Sequence, residues 1–365
     1  MQKSNDPALY WIGLSSIPGV GRVTFRKLAQ HFGSPERALS ASSPDLRTIS
    51  GLSDKVINEI TSFSWREYAE QELSKARDAG IAIIIADDAA FPVALKNTPD
   101  PPLFLYVKGD LHRGDGIAIV GTRKPTHYGL TVTRRISYEL ASAGLTIVSG
   151  LARGIDTQAH RGALAAAGRT IAVLGCGIDV AYPPENKGLL EDISRSGAVV
   201  TENPFGTQPE SGYFPARNRI ISGLSQGTVI VEAAEDSGSL ITAKYAKEQG
   251  RKLFAVPGNI GSANSRGTNS LIRQGAVLVE SAQDILQDLK IRSAGNKPAG
   301  AACDLPSLTR DEEPVFRQIT HEPKHIDRLM KESGSTPARI SGALVTLELK
   351  GLVKQLPGKY YIKES

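Results

Sequence analysis

The sequence predicts an α/β protein with a Rossmann-like, mostly parallel sheet, an N-terminal helical domain and a C-terminal winged helix. Three observations support this prediction. Short Val- and Ile-rich runs alternate with helical segments in the middle of the chain, two glycine turns precede helical patterns near its start, and three helical patterns precede a two-stranded one near its end. The expected divisions are a helical domain, an extended Rossmann-like domain, a linker and a winged helix, at residues 1–80, 81–292, 293–308 and 309–365.

Composition limits the classes of function. The chain has 365 residues, 40% of them hydrophobic, and a formal net charge of +5, which favours a polyanionic partner such as nucleic acid or anionic lipid. Its two cysteines, Cys176 and Cys303, are too few for a disulfide framework. Neither a signal-peptide pattern nor a membrane-length apolar run is present in the sequence. We therefore expect a soluble cytoplasmic protein without a membrane span.

The N-terminal region contains two glycine hairpins, Ile17-Pro18-Gly19-Val20-Gly21 and Ile49-Ser50-Gly51-Leu52-Ser53, each followed by a helical pattern. They resemble a pair of helix-hairpin-helix motifs, in which backbone N–H groups at a helix N-terminus contact a DNA phosphate. Ser53 stands where the second copy of that motif would have its second glycine. The alternative is a small helical interaction domain of the sterile-alpha-motif (SAM) type with glycine turns.

The middle region has the pattern of a βαβ series. Short runs rich in Val and Ile are typical of strands buried on both faces of a parallel sheet. The predicted strands are 117–120, 146–148, 171–174, 199–201, 229–231, 253–256 and 277–279. Two further strands, 81–86 and 103–108, lead into this region.

The C-terminal region follows a segment rich in Pro, Gly, Ala and Lys, which we interpret as a flexible linker. Three helices and a hairpin around Pro357-Gly358 then have the order of a winged helix. The predicted helices and strands are 313–319, 325–331, 336–350, 353–356 and 359–362. Its third helix would occupy a DNA major groove, with Lys354 and Lys359 on phosphates, or the domain would instead bind protein.

Glycine-containing turns follow four of the predicted parallel strands. Ligands of open parallel sheets bind at the carboxyl ends of the strands, where such turns lie. The turns are Gly121-Thr122-Arg123, Ser149-Gly150-Leu151-Ala152-Arg153-Gly154, Gly175-Cys176-Gly177 and Pro257-Gly258-Asn259. Glycine at four ends indicates close approach by a ligand, and the arginines indicate an anion. Val180 replaces the third glycine of a dinucleotide fingerprint, so a redox cofactor is disfavoured and no cofactor is expected.

A second cluster surrounds Pro215, which predicts the start of a helix. Arg217 and Arg219 would then lie in or near its first turn, where cations oppose the helix dipole unless an anion binds there. Each arginine would otherwise pair with an acidic residue such as Glu202 or Glu232. Phe214 is placed to stack on a base. Glu232 remains open as a base, a hydroxyl acceptor or an arginine partner.

These motifs resemble, in order, those of the bacterial DNA-processing protein DprA (Smf) family. They are Gly121-Thr122-Arg123-Lys124-Pro125-Thr126-His127-Tyr128-Gly129, Ser149 to Asp156, Gly175-Cys176-Gly177 with Tyr182-Pro183, Phe214-Pro215 with Arg217-Asn218-Arg219-Ile220-Ile221, Glu232-Ala233, Ser237-Gly238-Ser239, Pro257-Gly258-Asn259 and Gly267-Thr268-Asn269. The resemblance implies a homodimer that binds single-stranded DNA without cutting it. It also implies that the protein protects incoming DNA and loads a RecA-type recombinase in place of single-strand-binding protein during natural transformation.

Carried over by motif, the resemblance assigns no catalytic residue and no metal ligand. Arg123 and Arg217 would be the main phosphate contacts, and the glycines would shape the pocket. The full set of expected DNA- or phosphate-binding residues is Gly121, Thr122, Arg123, Gly150, Arg153, Gly154, Gly175, Phe214, Arg217, Asn218 and Arg219. Two alternatives remain. One is a nucleotide-processing hydrolase similar to lysine-decarboxylase-like Rossmann proteins, with Glu232 as catalytic carboxylate, and the other is a duplex-specific regulator that acts through the winged helix.

Overall fold

The computed structural model describes residues 6–111, 114–291, 308–309, 311–320, 322–333, 336–350 and 352–363. Most of the predicted linker, together with Cys303, lies outside the described residues. The strands of the main sheet are β1 (Ala82–Ile85), β2 (Phe104–Gly109), β3 (Gly116–Val120), β4 (Thr146–Ser149), β5 (Thr170–Val173), β6 (Ala198–Thr201), β7 (Gly227–Ile230), β8 (Lys252–Ala255) and β9 (Val277–Leu278).

The order of strands in this sheet is β1-β2-β6-β5-β4-β3-β7-β8-β9. Strands β3 to β9 are mutually parallel, whereas β2 pairs antiparallel with both β1 and β6. The predicted Rossmann-like, mostly parallel sheet is confirmed. The chain builds outwards from β3 to β6 and then returns to place β7 on the other side of β3. This reversal makes a topological switch point, beside which open sheets bind ligands.

The sheet is buried on both faces, as the Val- and Ile-rich runs predict. Along β3, Ile117 and Ile119 join one apolar cluster, while Ala118 and Val120 join the cluster on the opposite face. Alternate residues of a strand point to opposite faces, so a strand covered on both sides needs apolar residues throughout.

Helices cover the sheet and connect its strands. They are α7 (Val93–Lys96), α8 (His127–Ser142), α9 (Ile155–Ala165), α10 (Lys187–Ser196), α11 (Tyr213–Gly223), α12 (Ser239–Glu248), α13 (Ala263–Arg273) and α14 (Ala282–Asp288). None of the helices within the described residues is both long enough and apolar enough to cross a bilayer.

The N-terminal region is helical, as predicted, and packs on the edge of the sheet. Its helices are α1 (Ala8–Ser16), α2 (Arg22–Phe32), α3 (Pro35–Leu39), α4 (Ser43–Arg47), α5 (Asp54–Ser62) and α6 (Trp65–Asp78). The glycine turns lie between α1 and α2 and between α4 and α5, with φ of +84° at Gly19 and +80° at Gly51. The helical core also includes Phe104 and Tyr106 of β2. Strand β2, the neighbour of the edge strand β1, therefore packs on the N-terminal helices with Phe104 and Tyr106 and on the core of the sheet with Leu105 and Val107.

The C-terminal region has the predicted winged-helix order. Its helices are α15 (Glu312–Gln318), α16 (Ile326–Ser333) and α17 (Pro337–Leu349). The two strands of the wing, β11 (Val353–Leu356) and β12 (Tyr360–Lys363), pair antiparallel, and a two-residue strand, β10 (Lys324–His325), pairs with β12. The sequence did not predict β10, which is too short to show a periodicity.

Candidate nucleic-acid interface

Arg217 lies at the carboxyl ends of the central strands and is almost fully buried, with 5% of its surface exposed. Its guanidinium donates hydrogen bonds to the carbonyl oxygens of Gly150, at 2.7 Å, and Val173. Its Nε donates to the amide oxygen of Asn218 at 3.2 Å. These acceptors are neutral oxygens rather than carboxylates. A buried guanidinium held in this way keeps its positive charge available to an anion.

The predicted start of this helix is wrong by two residues. Helix α11 begins at Tyr213, so Pro215 occupies its third position and Arg217 its fifth. Proline is tolerated throughout the first turn, because the N–H groups there lack intrahelical acceptors in any case. Arg217 is therefore not a first-turn cation opposing the helix dipole. Its burial, and not its place in the helix, is what makes it a candidate anion site.

Asp156 and Arg123 act on the charge of Arg217 in opposite directions. Burial lowers the pKa of Arg217 to about 10, Asp156 counteracts this, and Arg123 lowers it further. Burial also raises the pKa of Asp156, whose Oδ2 accepts hydrogen bonds from the backbone N–H groups of Gly150 and Ala152, at 3.1 and 3.4 Å. Asp156 lies in the first turn of α9, whose cap position is occupied by Gly154. Through these hydrogen bonds, Asp156 holds the loop after β4.

The half-buried ring of Phe214 lies close to both Arg123 and Arg217. The guanidinium carbon of Arg123 is 5.2 Å from the ring centroid and that of Arg217 is 5.9 Å away, both within cation–π range. The ring of Tyr182 packs against it at 5.6 Å. Together with Gly150 and Gly175, these residues line a small pocket. The structure thus brings together Arg123, Gly150, Gly175, Phe214 and Arg217.

The glycines at the strand ends make room for protein atoms. A Cβ on Gly150 would lie 2.6 Å from the guanidinium of Arg217, and one on Gly175 would lie 2.8 Å from the Phe214 ring. A Cβ on Gly121 would meet Ile155 at 2.7 Å. Their packing therefore accounts for these glycines without the ligand contact that the sequence suggested. They shape the pocket because they let its side chains approach the backbone.

Thr122 and Gly154 lie where the loop after β3 meets the loops after β4 and β7. The N–H of Thr122 donates to the carbonyl of Glu232 at 2.7 Å, and its own carbonyl accepts from Ile155 at 3.3 Å. Gly154 has φ of +78°, and a Cβ there would lie 2.6 Å from the Thr122 carbonyl oxygen. Asn218 donates to the carbonyl of Gly238 at 3.3 Å. In this structure these residues position the loops.

Arg219 contacts different elements from those around Arg217. It is 2% exposed and forms an ion pair with Glu202, and it also lies 3.4 Å from a carboxylate oxygen of Asp100. The structure thus favours the acidic-partner alternative, with Glu202 as the partner. Arg22 of α2 also pairs with Asp100, at 2.8 Å, so this network ties the N-terminal helices to α11. We leave Arg219 out of the candidate interface.

Glu232 acts as a hydrogen-bond acceptor in the structure. Its buried carboxylate accepts from the backbone N–H of Thr126 at 2.9 Å and from the hydroxyl of the same residue. These contacts hold the loop that leads into α8. Of the alternatives open for Glu232, the hydroxyl acceptor matches the structure, and this weighs against a catalytic carboxylate.

Arg153 is exposed, next to Ala152 of the pocket wall, and it pairs with Glu185. Sequence reasoning did not single out Glu185, nor did it assign Asp156 its role at the loop. Glu185 is 32 residues from Arg153 in the chain, so only the packing of the loops after β4 and β5 reveals the pair. The Tyr182-Pro183 motif two residues earlier is the one signal that could have directed attention there.

The fold and this pocket define a Rossmann-like protein with a candidate site lined by arginine and aromatic side chains. Comparison with known proteins identifies the family: the chain belongs to the DprA (Smf) family, as the motifs predicted. The family model described as DNA recombination-mediator protein A matches residues 82–290, and the DprA winged helix domain matches residues 299–359.

Relatives match over most of their length. The chain is 37% identical to Protein Smf of Synechocystis, covering 98% of this chain and 99% of that protein. It is 42% identical to the DNA processing protein DprA of Bacillus subtilis, over 70% and 88% of the two chains. The X-ray structure of DprA from Streptococcus pneumoniae superposes with a TM-score of 0.68 at 34% identity, covering 77% of this chain and 97% of that one. A Helicobacter pylori DprA structure, described as showing a single-stranded DNA binding mode, has a TM-score of 0.51 at 32% identity. The match covers 57% of this chain and 95% of that one.

Proposed function

We propose that this chain is a non-catalytic binder of single-stranded DNA that holds the strand at the pocket of Arg123, Phe214 and Arg217. The observation that carries the proposal is Arg217, a buried guanidinium whose hydrogen bonds in the described part of the chain go to neutral oxygens. Family membership supports it, as does the single-stranded DNA binding named for the Helicobacter pylori relative.

The chemistry of the pocket suits a nucleic-acid backbone with an unstacked base. Two guanidinium groups lie close to one aromatic ring, so a phosphate would contact the arginines while a base stacks on Phe214. Every base has a flat π face and every nucleotide a phosphate. Such a site therefore binds single strands with little sequence preference.

The same residues give no support to hydrolysis. The carboxylate of Asp156 holds backbone N–H groups, and Glu232 holds Thr126. Burial raises the pKa of the Cys176 thiol to about 11, so this group at the pocket wall stays protonated at neutral pH. Hydrolysis through a protein nucleophile would require that group to have a base within reach. We therefore propose binding without bond cleavage.

We further propose that the protein acts as a homodimer in natural transformation. It would protect the bound strand and load a RecA-type recombinase onto it in place of single-strand-binding protein. Membership of the DprA family supports this part of the proposal. It is separate from strand binding, and a recombinase-loading assay tests it independently.

Fluorescence anisotropy with a labelled oligothymidine and a matched duplex, at several salt concentrations, tests strand binding. We expect tighter binding of the single strand. Arg217→Lys keeps the charge but removes the guanidinium fork, so affinity should fall about tenfold or more. Arg123→Gln should make the slope of log K against log salt shallower by about 0.7, the value for one phosphate contact.

Arg195→Gln is the matched control, because Arg195 is an exposed arginine of α10 paired with Asp192. It should leave affinity and salt dependence unchanged. Wild-type affinity in a folded Arg123→Gln/Arg217→Lys double variant would rule out this pocket. A large loss in Lys354→Gln/Lys359→Gln, with duplex preferred over single strand, would instead support a duplex regulator acting through the wing.

A further inference from the structure

A bidentate ion pair lies beside residues that line the pocket. Nε of Arg153 contacts Oε1 of Glu185, and the terminal nitrogen of the same guanidinium contacts Oε2 at 3.2 Å. Each residue stands beside the pocket wall: Arg153 follows Ala152, and Glu185 comes two residues after Pro183. Both side chains are about half exposed, at 55% and 51%. The pair is therefore accessible to a strand lying across the pocket.

This carboxylate occupies Arg153 in the geometry that a phosphate would use. Two parallel N–H···O contacts from one guanidinium are the common mode of recognition for both carboxylates and phosphates. The hydrogen bond from Arg153 lowers the pKa of Glu185, which is therefore ionised at neutral pH and neutralises the arginine. Exposed pairs of this kind contribute little to stability, so a ligand can displace the carboxylate.

The loops that carry the two residues are joined by contacts that do not involve the pair. Asn186, next to Glu185, is buried and donates to the carbonyl of Leu151 and to the hydroxyl of Thr157, each at 2.9 Å. Thr157 in turn donates to the carbonyl of Ala152 at 2.7 Å. The backbone on both sides is thus fixed, and exchange of partners at Arg153 requires movement of side chains only.

We propose that Glu185 is an internal competitor of the bound strand: it occupies Arg153 in the free protein and yields it to a backbone phosphate when DNA binds. This inference rests on the proposed function, because it adds a phosphate position beside Arg123 and Arg217. Glu185 thereby sets the affinity of the pocket. A strand must contact Arg123 and Arg217 before it can displace Glu185 and gain a contact to Arg153.

A double-mutant cycle of Arg153→Gln and Glu185→Gln, with anisotropy of a labelled oligothymidine as readout, tests the competition. Glu185→Gln should bind about two- to fivefold more tightly, the range expected for releasing an exposed pair, and its salt slope should steepen by about 0.7. Arg153→Gln should bind more weakly than wild type. Adding Glu185→Gln to Arg153→Gln should bring no gain, since the arginine to be released is absent.

Two results would overturn the inference. One is an unchanged or reduced affinity of Glu185→Gln in a protein with wild-type melting temperature. The other is an equal gain in the Arg153→Gln background, which would show a general effect of removing a negative charge. Glu191→Gln serves as the charge control, since Glu191 of α10 pairs with Lys108 of β2 and its loss should not alter DNA affinity.

The same measurements separate this inference from the proposed function. If Arg123→Gln weakens binding while Glu185→Gln has no effect, strand binding at the pocket stands and only the competition fails. If Arg123→Gln and Arg217→Lys both bind as wild type does, the proposed function itself fails, whatever Glu185→Gln does.

Discussion

Gly150 and Arg217 depend on each other. The guanidinium of Arg217 donates to the carbonyl of Gly150 at 2.7 Å, and the space that a Cβ on Gly150 would fill lies only 2.6 Å from the same guanidinium. Gly150 therefore provides the carbonyl oxygen that accepts the hydrogen bond, and its lack of a side chain leaves space for the guanidinium. An arginine from α11 reaches the loop after β4 only because that loop carries no side chain at this position.

Gly150→Ala tests this relationship. The added methyl group should displace the guanidinium, so we expect affinity for single-stranded oligonucleotide to fall about as far as in Arg217→Lys. Overpacking should also lower the free energy of unfolding by about 1–3 kcal/mol. Anisotropy and urea denaturation measure the two effects.

The control is Gly188→Ala in α10, where an added Cβ meets no atom within 4 Å. Alanine is the better helix former, so stability should be unchanged or rise by up to about 1 kcal/mol, with DNA affinity unaffected. Full DNA affinity in Gly150→Ala would show that Arg217 does not need this position in order to bind.

Phe214→Leu tests the stacking surface. Loss of the aromatic face should weaken oligonucleotide binding by the equivalent of about 1–3 kcal/mol, while a half-buried Leu should cost about 1 kcal/mol of stability. Phe63→Leu is the matched control, because Phe63 is a half-buried aromatic residue of the N-terminal helical cluster. Equal affinities for the two variants would argue against base stacking at the pocket.

Glu202→Gln tests the assignment of Arg219 to the structure rather than to DNA. Removing the carboxylate leaves a buried guanidinium without its main partner, so we expect a loss of roughly 3 kcal/mol in unfolding free energy. The surface-pair variant Glu191→Gln should lose less than about 1 kcal/mol. Oligonucleotide affinity of the folded Glu202→Gln protein should stay within about twofold of wild type. Wild-type stability combined with lost binding would return Arg219 to the interface.

His160 predicts a dependence of stability on pH. It is fully buried, with Nδ1 2.7 Å from the Thr170 hydroxyl, and burial, followed by the charge of Arg217, lowers its pKa from 6.5 to about 3. Below about pH 6.5 the unfolded chain binds a proton that the native state does not, so stability falls as pH decreases towards 3. The loss from this group should be about 1 kcal/mol between pH 6.5 and about pH 5.5.

Urea denaturation at these pH values checks the sign and size of the effect. His160→Asn keeps a donor for Thr170 but does not titrate, so its stability should lose this part of the pH dependence. His31→Asn, at an exposed position of α2, should behave as wild type. The same pH slope in His160→Asn and wild type would mean that other groups cause it.

The strands of the main sheet could be predicted because their signal is local. A strand such as β3 is covered on both faces, so each of its residues is apolar and the run is visible in the sequence. The antiparallel pairing of β2 with β6 was not predictable in this way. It depends on contacts between residues far apart in the chain, such as Tyr106 with Thr201.

The candidate site shows the same division. The motifs located the loops that meet at the switch point, because ligand sites of parallel sheets lie at strand ends. They did not separate Arg217 from Arg219. Two residues apart, these side chains point about 200° apart around a helix with 3.6 residues per turn, so one faces the pocket and the other faces Glu202.

The sequence by itself determined the fold class, the order of the elements and the family, because apolar periodicity and motif order are properties of the chain. Only the tertiary structure decided which arginine side chains are paired with a carboxylate. Arg219 is neutralised by Glu202 and Arg153 by Glu185, whereas Arg217 is held by carbonyl oxygens. Whether a guanidinium is available to a phosphate depends on its nearest neighbours in space, and packing brings those neighbours from distant parts of the chain.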